Sequence, residues 1–308
     1  MPGGYTHVTL VQEAIEEAFR RTGMLHDDAR HALARWKKFC IVGSVSPDYP
    51  YLDMLDSHSA AWADAVHKGH ALTFLRNGVA GIRGMTDNNK RQKCMAWLFG
   101  FASHVAADGT IHPVINLKVG PYEQNKTAHR SCEMSQDVYV QARLNLGKLD
   151  FNKQISTNVN DSSDENDPGR MDADISKLWQ DLLLGVYSGL NPQLQPPKVD
   201  DWHKAMRQMM NVAEHGNILI PFARHVGAHL GLVYPDQPVP DHIQHLEVPP
   251  GKVYQDFDAI FSKALNNILE IWGWLVLSLQ SKASPLDTQS SWSLDTGYDE
   301  TNRMTYWS

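Results

Sequence analysis

Two histidine–carboxylate pairs stand where they can share one piece of chemistry. His104 and Asp108 are four residues apart, and so are His129 and Glu133. On a helix each pair lies on one face, and Asp137 extends the second stripe by another turn. His112 follows Asp108 by the same interval. Imidazole and carboxylate in this mixture, with no thiolate required, are what a zinc-like ion takes from a protein. A lone pair at this spacing ordinarily decorates a solvated face. Here the residues just before His104 run Cys94-Met95-Ala96-Trp97-Leu98-Phe99-Gly100-Phe101-Ala102, which reads as a core helix. Burying a His and an Asp there demands a partner, and a metal ion is the expected one.

Other elements bring further ligand types. Val8, Leu10, Val11, Ile15 and Phe19 make an amphipathic helix, with Thr6 placed to cap it and His7 in its first turn. In Ser46-Pro47-Asp48-Tyr49-Pro50 the prolines oppose an α-helix and hold Asp48 on a rigid turn, as turn-former or as ligand. His67 ends the run Trp62-Ala63-Asp64-Ala65-Val66-His67, with His58 as a rival nearby.

In order and spacing these pieces resemble the zinc-dependent phospholipase C family, which is related to the zinc-dependent single-strand nucleases. The resemblance covers about residues 5 to 140. It rests on Thr6-His7, Val45-Ser46-Pro47-Asp48, a following His, the G-F-x-x-H-x-x-A-D-x-x-x-H-P block from Gly100 to Pro113, and H-x-x-x-E-x-x-x-D from His129 to Asp137. The block around His104 is the most specific. The resemblance implies one zinc on Asp48, His67 (or His58), His104 and Asp108. It implies a second on His112, His129 and Glu133, and a third on His7 with Asp108 bridging. His67 is preferred to His58 because its context is followed by the apolar stretch Ala71-Leu72-Thr73-Phe74-Leu75. Secreted bacterial members complete the third site with a free amino terminus, whereas His7 here stands six residues from Met1.

The resemblance implies a phosphodiester hydrolase loaded with roughly two to three zinc ions. Its namesake reaction is phospholipase C cleavage of a glycerophospholipid by a zinc-activated water. The residues themselves specify only phosphodiester hydrolysis, so a zinc-dependent nuclease or nucleotide phosphoesterase is the alternative. A non-catalytic binding protein on the same fold is a second. Asp48 is the candidate base or orienter of the attacking water. Asp137 and, less strongly, Asp64 are candidates to fix imidazole tautomers. Tyr49, Tyr51 and Trp62 are candidates to line a cleft.

Composition narrows the partners. The 308 residues carry a formal net charge of −7, which opposes unaided binding of duplex nucleic acid. Three scattered cysteines, Cys40, Cys94 and Cys132, read as free thiols. The amino terminus lacks a basic stretch and an apolar core, so the expectation is a cytoplasmic protein or export without a classical signal peptide. The apolar run from Ile271 to Leu279 is too short to span a bilayer and reads as a buried helix. The substrate is expected to be a phospholipid or other phosphodiester, possible at a membrane surface; oligomeric state is left open.

The patterning predicts an all-α, multi-helix bundle with additional carboxyl-terminal helices. Helices are expected near 8–22, 26–41, 58–79, 88–107, 125–146, 171–188, 200–214, 219–231 and 254–281, with no sheet. The expected organisation is a zinc-binding catalytic helical region at 1–150 and a flexible acidic loop at 151–170. Further helices at 171–281 pack on the first region, and a polar, partly frayed tail covers 282–308. His203, His215, His225, His229, His242 and His245 are expected to be surface or core histidines rather than ligands.

Overall fold

In the computed structural model the chain is described at residues 3–53, 56, 58–143, 148–216 and 234–307. Its spine is α6 (Asn88–Val119), 32 residues long and buried over most of its length. A helix apolar on every side can only be central, and α6 is packed on all sides. Against it lie α1 (Gly4–Arg20), α2 (Asp27–Arg35), α3 (Lys37–Gly43), α5 (Ala71–Arg83), α7 (Lys126–Arg143), α9 (Ala173–Tyr187) and the apolar α11 (Phe257–Leu279). Phe74 of α5 stacks on Phe101 of α6 with ring centroids 4.2 Å apart, and Trp97 tilts against both Phe101 and Trp179. Each such fully buried side chain contributes about 1.5–3 kcal/mol, which offsets the cost of the polar groups set along the same helix.

One contact fixes how α3 meets α6. A Cβ on Gly100 would lie 2.0 Å from the Cys40 carbonyl oxygen, and one on Gly43 would lie 2.3 Å from the Trp97 carbonyl oxygen. The two backbones therefore touch, and only glycine permits that approach. The chain leaves α3 through Ser44 into a 3₁₀ turn, Ser46–Leu52. Pro47 sits at the start of this turn, where it has no hydrogen bond to lose. Trp97 of α6 donates its ring N–H to Ser46 Oγ at 3.0 Å, tying the turn to the spine. Helices α4 (Ser59–Lys68) and α10 (Val199–Gly216) close over it.

The all-α reading holds: among the described residues the only sheet is an antiparallel hairpin, β1 (Leu246–Val248) with β2 (Val253–Gln255). Several boundaries differ from expectation. The predicted 26–41 helix divides at Trp36, and 58–79 divides at Gly69 and His70, whose positive φ of 158° and 63° ends α4. Helix α6 runs past 107 to Val119, through Pro113. The stretch 151–170 is not a flexible loop. Helix α8 (Lys148–Asp161) fills its first half, burying Ile155 and Val159. The acidic remainder folds as a tight turn in which the Asp164 carboxylate accepts the amides of Asn166 and Asp167. Asp residues read as loop formers by composition; here their side chains close the turn themselves.

The segment 282–308 is likewise packed rather than frayed over its described part. Its short helix α12 (Pro285–Thr288) carries a capping box on Ser284 and Asp287, and Trp292, Leu294 and Tyr306 are buried. Polar composition concealed these three anchors. The expected helix at 219–231, with His225 and His229, lies outside the described residues, as do 144–146 of the expected 125–146 helix. The run Ile271 to Leu279 belongs to buried α11, and no helix among the described residues is long and apolar enough to cross a membrane.

Candidate metal centre

Five side chains from four elements converge beside the middle of α6. His104 and Asp108 come from α6, His67 from the last turn of α4, Asp48 from the 3₁₀ turn, and His7 from the first turns of α1. All five are buried. His104 Nε2 stands 3.1 Å from Asp108 Oδ2 and 3.4 Å from His67 Nε2. His67 Nε2 is 3.4 Å from both Asp108 Oδ2 and Asp48 Oδ1, and His104 Nε2 is 3.9 Å from Asp48 Oδ1. On the other side of Asp108, its Oδ1 is 3.2 Å from His7 Nε2. The His7 ring stacks on that of His104 at 4.1 Å, 8° from parallel.

These spacings suit a cation. Donors about 2.0–2.1 Å from one tetrahedral zinc stand about 3.3 Å from one another. His67, His104 and Asp108 form one group of mutually close donors, and His7, Asp48 and His104 another. Without an ion the same arrangement is costly. Both Asp108 oxygens, Asp48 Oδ1 and both His7 ring nitrogens are buried and make no hydrogen bond. Each such group costs about 1–3 kcal/mol, and a cation shared among them removes the whole set of penalties. The residues present therefore fit zinc.

The second pair lies on α7. His129 Nδ1 faces Glu133 Oε1 at 3.7 Å, and both side chains are buried. His112, one turn beyond Asp108 on α6, is buried with its Nε2 lacking a hydrogen-bond partner, as is His129 Nδ1. His112 does not fall within the two close groups of donors. His58, the rival to His67, is exposed and stands just before α4, at its N-cap position, with no capping bond from its side chain.

What fixes the imidazoles is backbone. His104 Nδ1 donates to the Ser44 carbonyl at 2.9 Å, an acceptor delivered by the close approach of α3 to α6. His67 Nδ1 donates to Ala63 O at 2.7 Å, His112 Nδ1 to Leu294 O at 2.6 Å, and His129 Nε2 to Gly120 O at 2.6 Å. Each bond leaves the opposite nitrogen, with its lone pair, on the inner side. Sequence reading gave this task to Asp137 and Asp64, and the structure reassigns it. Asp64 accepts the Tyr51 hydroxyl at 2.6 Å. Asp137, buried, accepts the Thr6 amide at 2.8 Å, the Thr6 hydroxyl at 2.7 Å and the Tyr234 hydroxyl at 2.8 Å. It therefore caps α1 from another helix, and a Cβ on Gly3 would collide with its carboxylate. Carbonyl acceptors leave no mark in a sequence, since any residue supplies one. Tyr49 and Trp62, candidate cleft residues, are core, and Tyr51 is half-buried with its ring 5.9 Å from that of His67.

Charge follows the same logic. Burial alone pushes Asp108 up, but the neighbouring His104 and His112 outweigh it and hold the carboxyl well below its usual range. Asp48 is also lowered, with His104 and His67 outweighing burial. Burial, then the charge of His104, lowers His7, and burial takes His112 down to about 3. Anionic Asp48 and Asp108, with His7 and His112 neutral, are the protonation states that ligate a metal. Asp137 departs the other way: burial exceeds its three hydrogen bonds and raises it to about 7. The three cysteines are buried free thiols raised by burial, Cys94 to about 12, and Cys132 lies in neither close group of donors.

Of the carboxyl-terminal histidines, His203 is buried with Nε2 2.9 Å from Ser163 Oγ, and His245 stacks on Tyr254. Neither belongs to the cluster.

No curated protein and no solved structure matches this chain. A family model for zinc dependent phospholipase C matches residues 6–189, a span that holds all the converging side chains as well as His112, His129 and Glu133. The chain belongs to the zinc-dependent phospholipase C family.

Proposed function

We propose that the chain is a zinc-dependent phosphodiester hydrolase of phospholipase C type, cleaving a glycerophospholipid on the diacylglycerol side of the phosphate. The observation that carries this reading is the buried set His7, Asp48, His67, His104 and Asp108, whose ring nitrogens and carboxylate oxygens fall into two close groups, with both Asp108 oxygens, Asp48 Oδ1 and both His7 nitrogens making no hydrogen bond. In it, His67, His104, Asp48 and Asp108 would hold one zinc, and His7 with Asp108 would hold another. His112, His129 and Glu133 would hold a further one. When bound, zinc supplies charge for the phosphate oxygens and lowers the pKa of a water.

The chain's own residues do the rest. The carbonyls of Ser44, Ala63, Gly120 and Leu294 each accept from one ring nitrogen and so orient the opposite nitrogen. Asp48, held on a turn anchored through Ser46 to Trp97, orients the attacking water and takes up its proton. Because its carboxyl is lowered, orientation outweighs basicity. Its 3₁₀ turn and α4 keep bulk water from the carboxylate, which is nearly fully buried.

The test is hydrolysis of a short-chain glycerophospholipid, followed as released diacylglycerol, beside a dinucleotide. Zinc-restored, chelator-sensitive release of diacylglycerol supports the reading, with Asp48→Asn lowering kcat about 10²–10⁴-fold. Cleavage of the dinucleotide alone would replace it with a nuclease.

A further inference from the structure

The family match ends at residue 189, yet two of the site's histidines are held by chain far beyond it. His112 Nδ1 bonds the Leu294 carbonyl. The Leu294 amide donates to the carbonyl of His67 at 2.8 Å, and Ser293 Oγ reaches the same carbonyl at 3.4 Å. One turn further along α6, Asn116 Nδ2 donates to Asp295 O at 2.7 Å. Near the end of the chain, Trp307 donates to the Thr110 carbonyl at 2.9 Å. The last described residues are thus bonded along the face of α6 that carries the site.

Between this segment and α6 lies a cavity of about 450 Å³. Its inner side is made by chain neighbours of the site: Lys68 follows His67, and Pro113 follows His112. Tyr122, also lining it, sets its ring edge-on to His129 at 5.4 Å. Its outer side is Pro250, Tyr298 and Met304, none of them within the family match. Tyr298 and Met304 pair through their backbones, so their side chains are presented by a fixed turn. The lining is mainly carbon, and it takes in Lys68, Pro113 and Tyr122, which adjoin His67, His112 and His129. A volume of this order holds a chain of several methylenes, and each buried methylene favours binding by roughly fourfold.

We propose that the segment from Trp292 to Met304 is the specificity wall of the site, with Tyr298 and Met304 contacting a hydrocarbon group carried by the diester. This rests on the phosphodiesterase reading above. The wall favours a substrate with an alkyl or acyl chain over one with a nucleoside, because Tyr298 and Met304 present apolar surface and Lys68 is the single basic residue among the described residues lining the cavity.

The test compares kcat/KM for a dihexanoyl glycerophospholipid, for bis(p-nitrophenyl) phosphate and for thymidine 5′-p-nitrophenyl phosphate, in the parent chain and in Tyr298→Ala and Met304→Ala. The expected result is a fall of about tenfold in the ratio of lipid to chainless diester in each variant, with zinc content retained. A ratio unchanged within about twofold, or a greater loss on the nucleoside diester than on the lipid, overturns the proposal. Calorimetric binding of decylphosphonate against methylphosphonate keeps it separate from hydrolysis. If no diester is cleaved, the phosphodiesterase reading fails. Tighter binding of decylphosphonate that is lost in Tyr298→Ala then still upholds the wall, and equal binding of the two phosphonates overturns it.

Discussion

At the scale of single residues, the centre is a problem in burial that only a cation resolves. Asp108 meets His104 through one carboxylate oxygen and His7 through the other, so a single carboxylate faces two imidazoles. Asp108→Asn replaces one of those oxygens by an NH2 that cannot ligate zinc and that can donate to an imidazole lone pair, occupying it. Zinc affinity is expected to fall about 10²-fold or more, since one anionic ligand is lost and an imidazole nitrogen is tied up; competition with a chromogenic chelator measures it. His67 and His58 offer a sharper contrast. His67→Ala should lose zinc, and His58→Ala, altering an exposed residue just before α4, should retain it. Retention in both would remove His67 from the site.

Asp137 gives a residue-scale prediction of opposite chemistry. Its carboxyl is raised from 3.8 to about 7, so in that window the folded chain keeps a proton that the unfolded chain releases. Its contribution is complete below about pH 4 and is lost as pH rises towards 7, at up to about 1.4 kcal/mol per unit. His112, lowered from 6.5 to about 3, acts with the reverse sign: stability falls as pH drops through that range. Asp137→Asn should therefore remove only the first slope. Urea unfolding of zinc-free parent and variant at pH 4.5 and 7 checks this. The variant should gain on the parent at the higher pH, and parallel behaviour would mean an ordinary carboxyl.

At the scale of elements, the precision of the site comes from how helices meet. The Ser44 carbonyl reaches His104 because Gly43 and Gly100 let α3 and α6 touch. In Gly100→Ala the added methyl would press on the Cys40 carbonyl, so the helices must part. A loss of about 1–3 kcal/mol in thermal unfolding is expected, together with weaker zinc binding as His104 loses its acceptor. Unchanged zinc affinity in a destabilised variant would separate packing from the site. The ligand types and the α6 and α7 stripes were legible in the sequence because helical spacing is local, and the prolines announced the Asp48 turn. The carbonyl acceptors were not legible because any residue supplies one, and the Ser44, Leu294 and Asp137 contacts also join elements far apart in the chain. The tail was misread for a related reason: three buried anchors, Trp292, Leu294 and Tyr306, outweigh a polar composition.

At the scale of the whole molecule, an apolar spine carries a polar centre at its middle, and chain from both ends closes on it. Helix α1 delivers His7, and the final segment holds His112 and His67. The family match spans the candidate ligands, whereas the proposed wall lies outside it. The claim on which the rest depends is the metal. Elemental analysis of the purified chain, beside His104→Ala and Glu133→Ala, tests it most directly. The account predicts roughly two to three zinc ions per chain, because the donor set exceeds one four-coordinate shell, with a loss in both variants. A chain purified without chelators that holds no zinc, and takes up none when it is added, would contradict it.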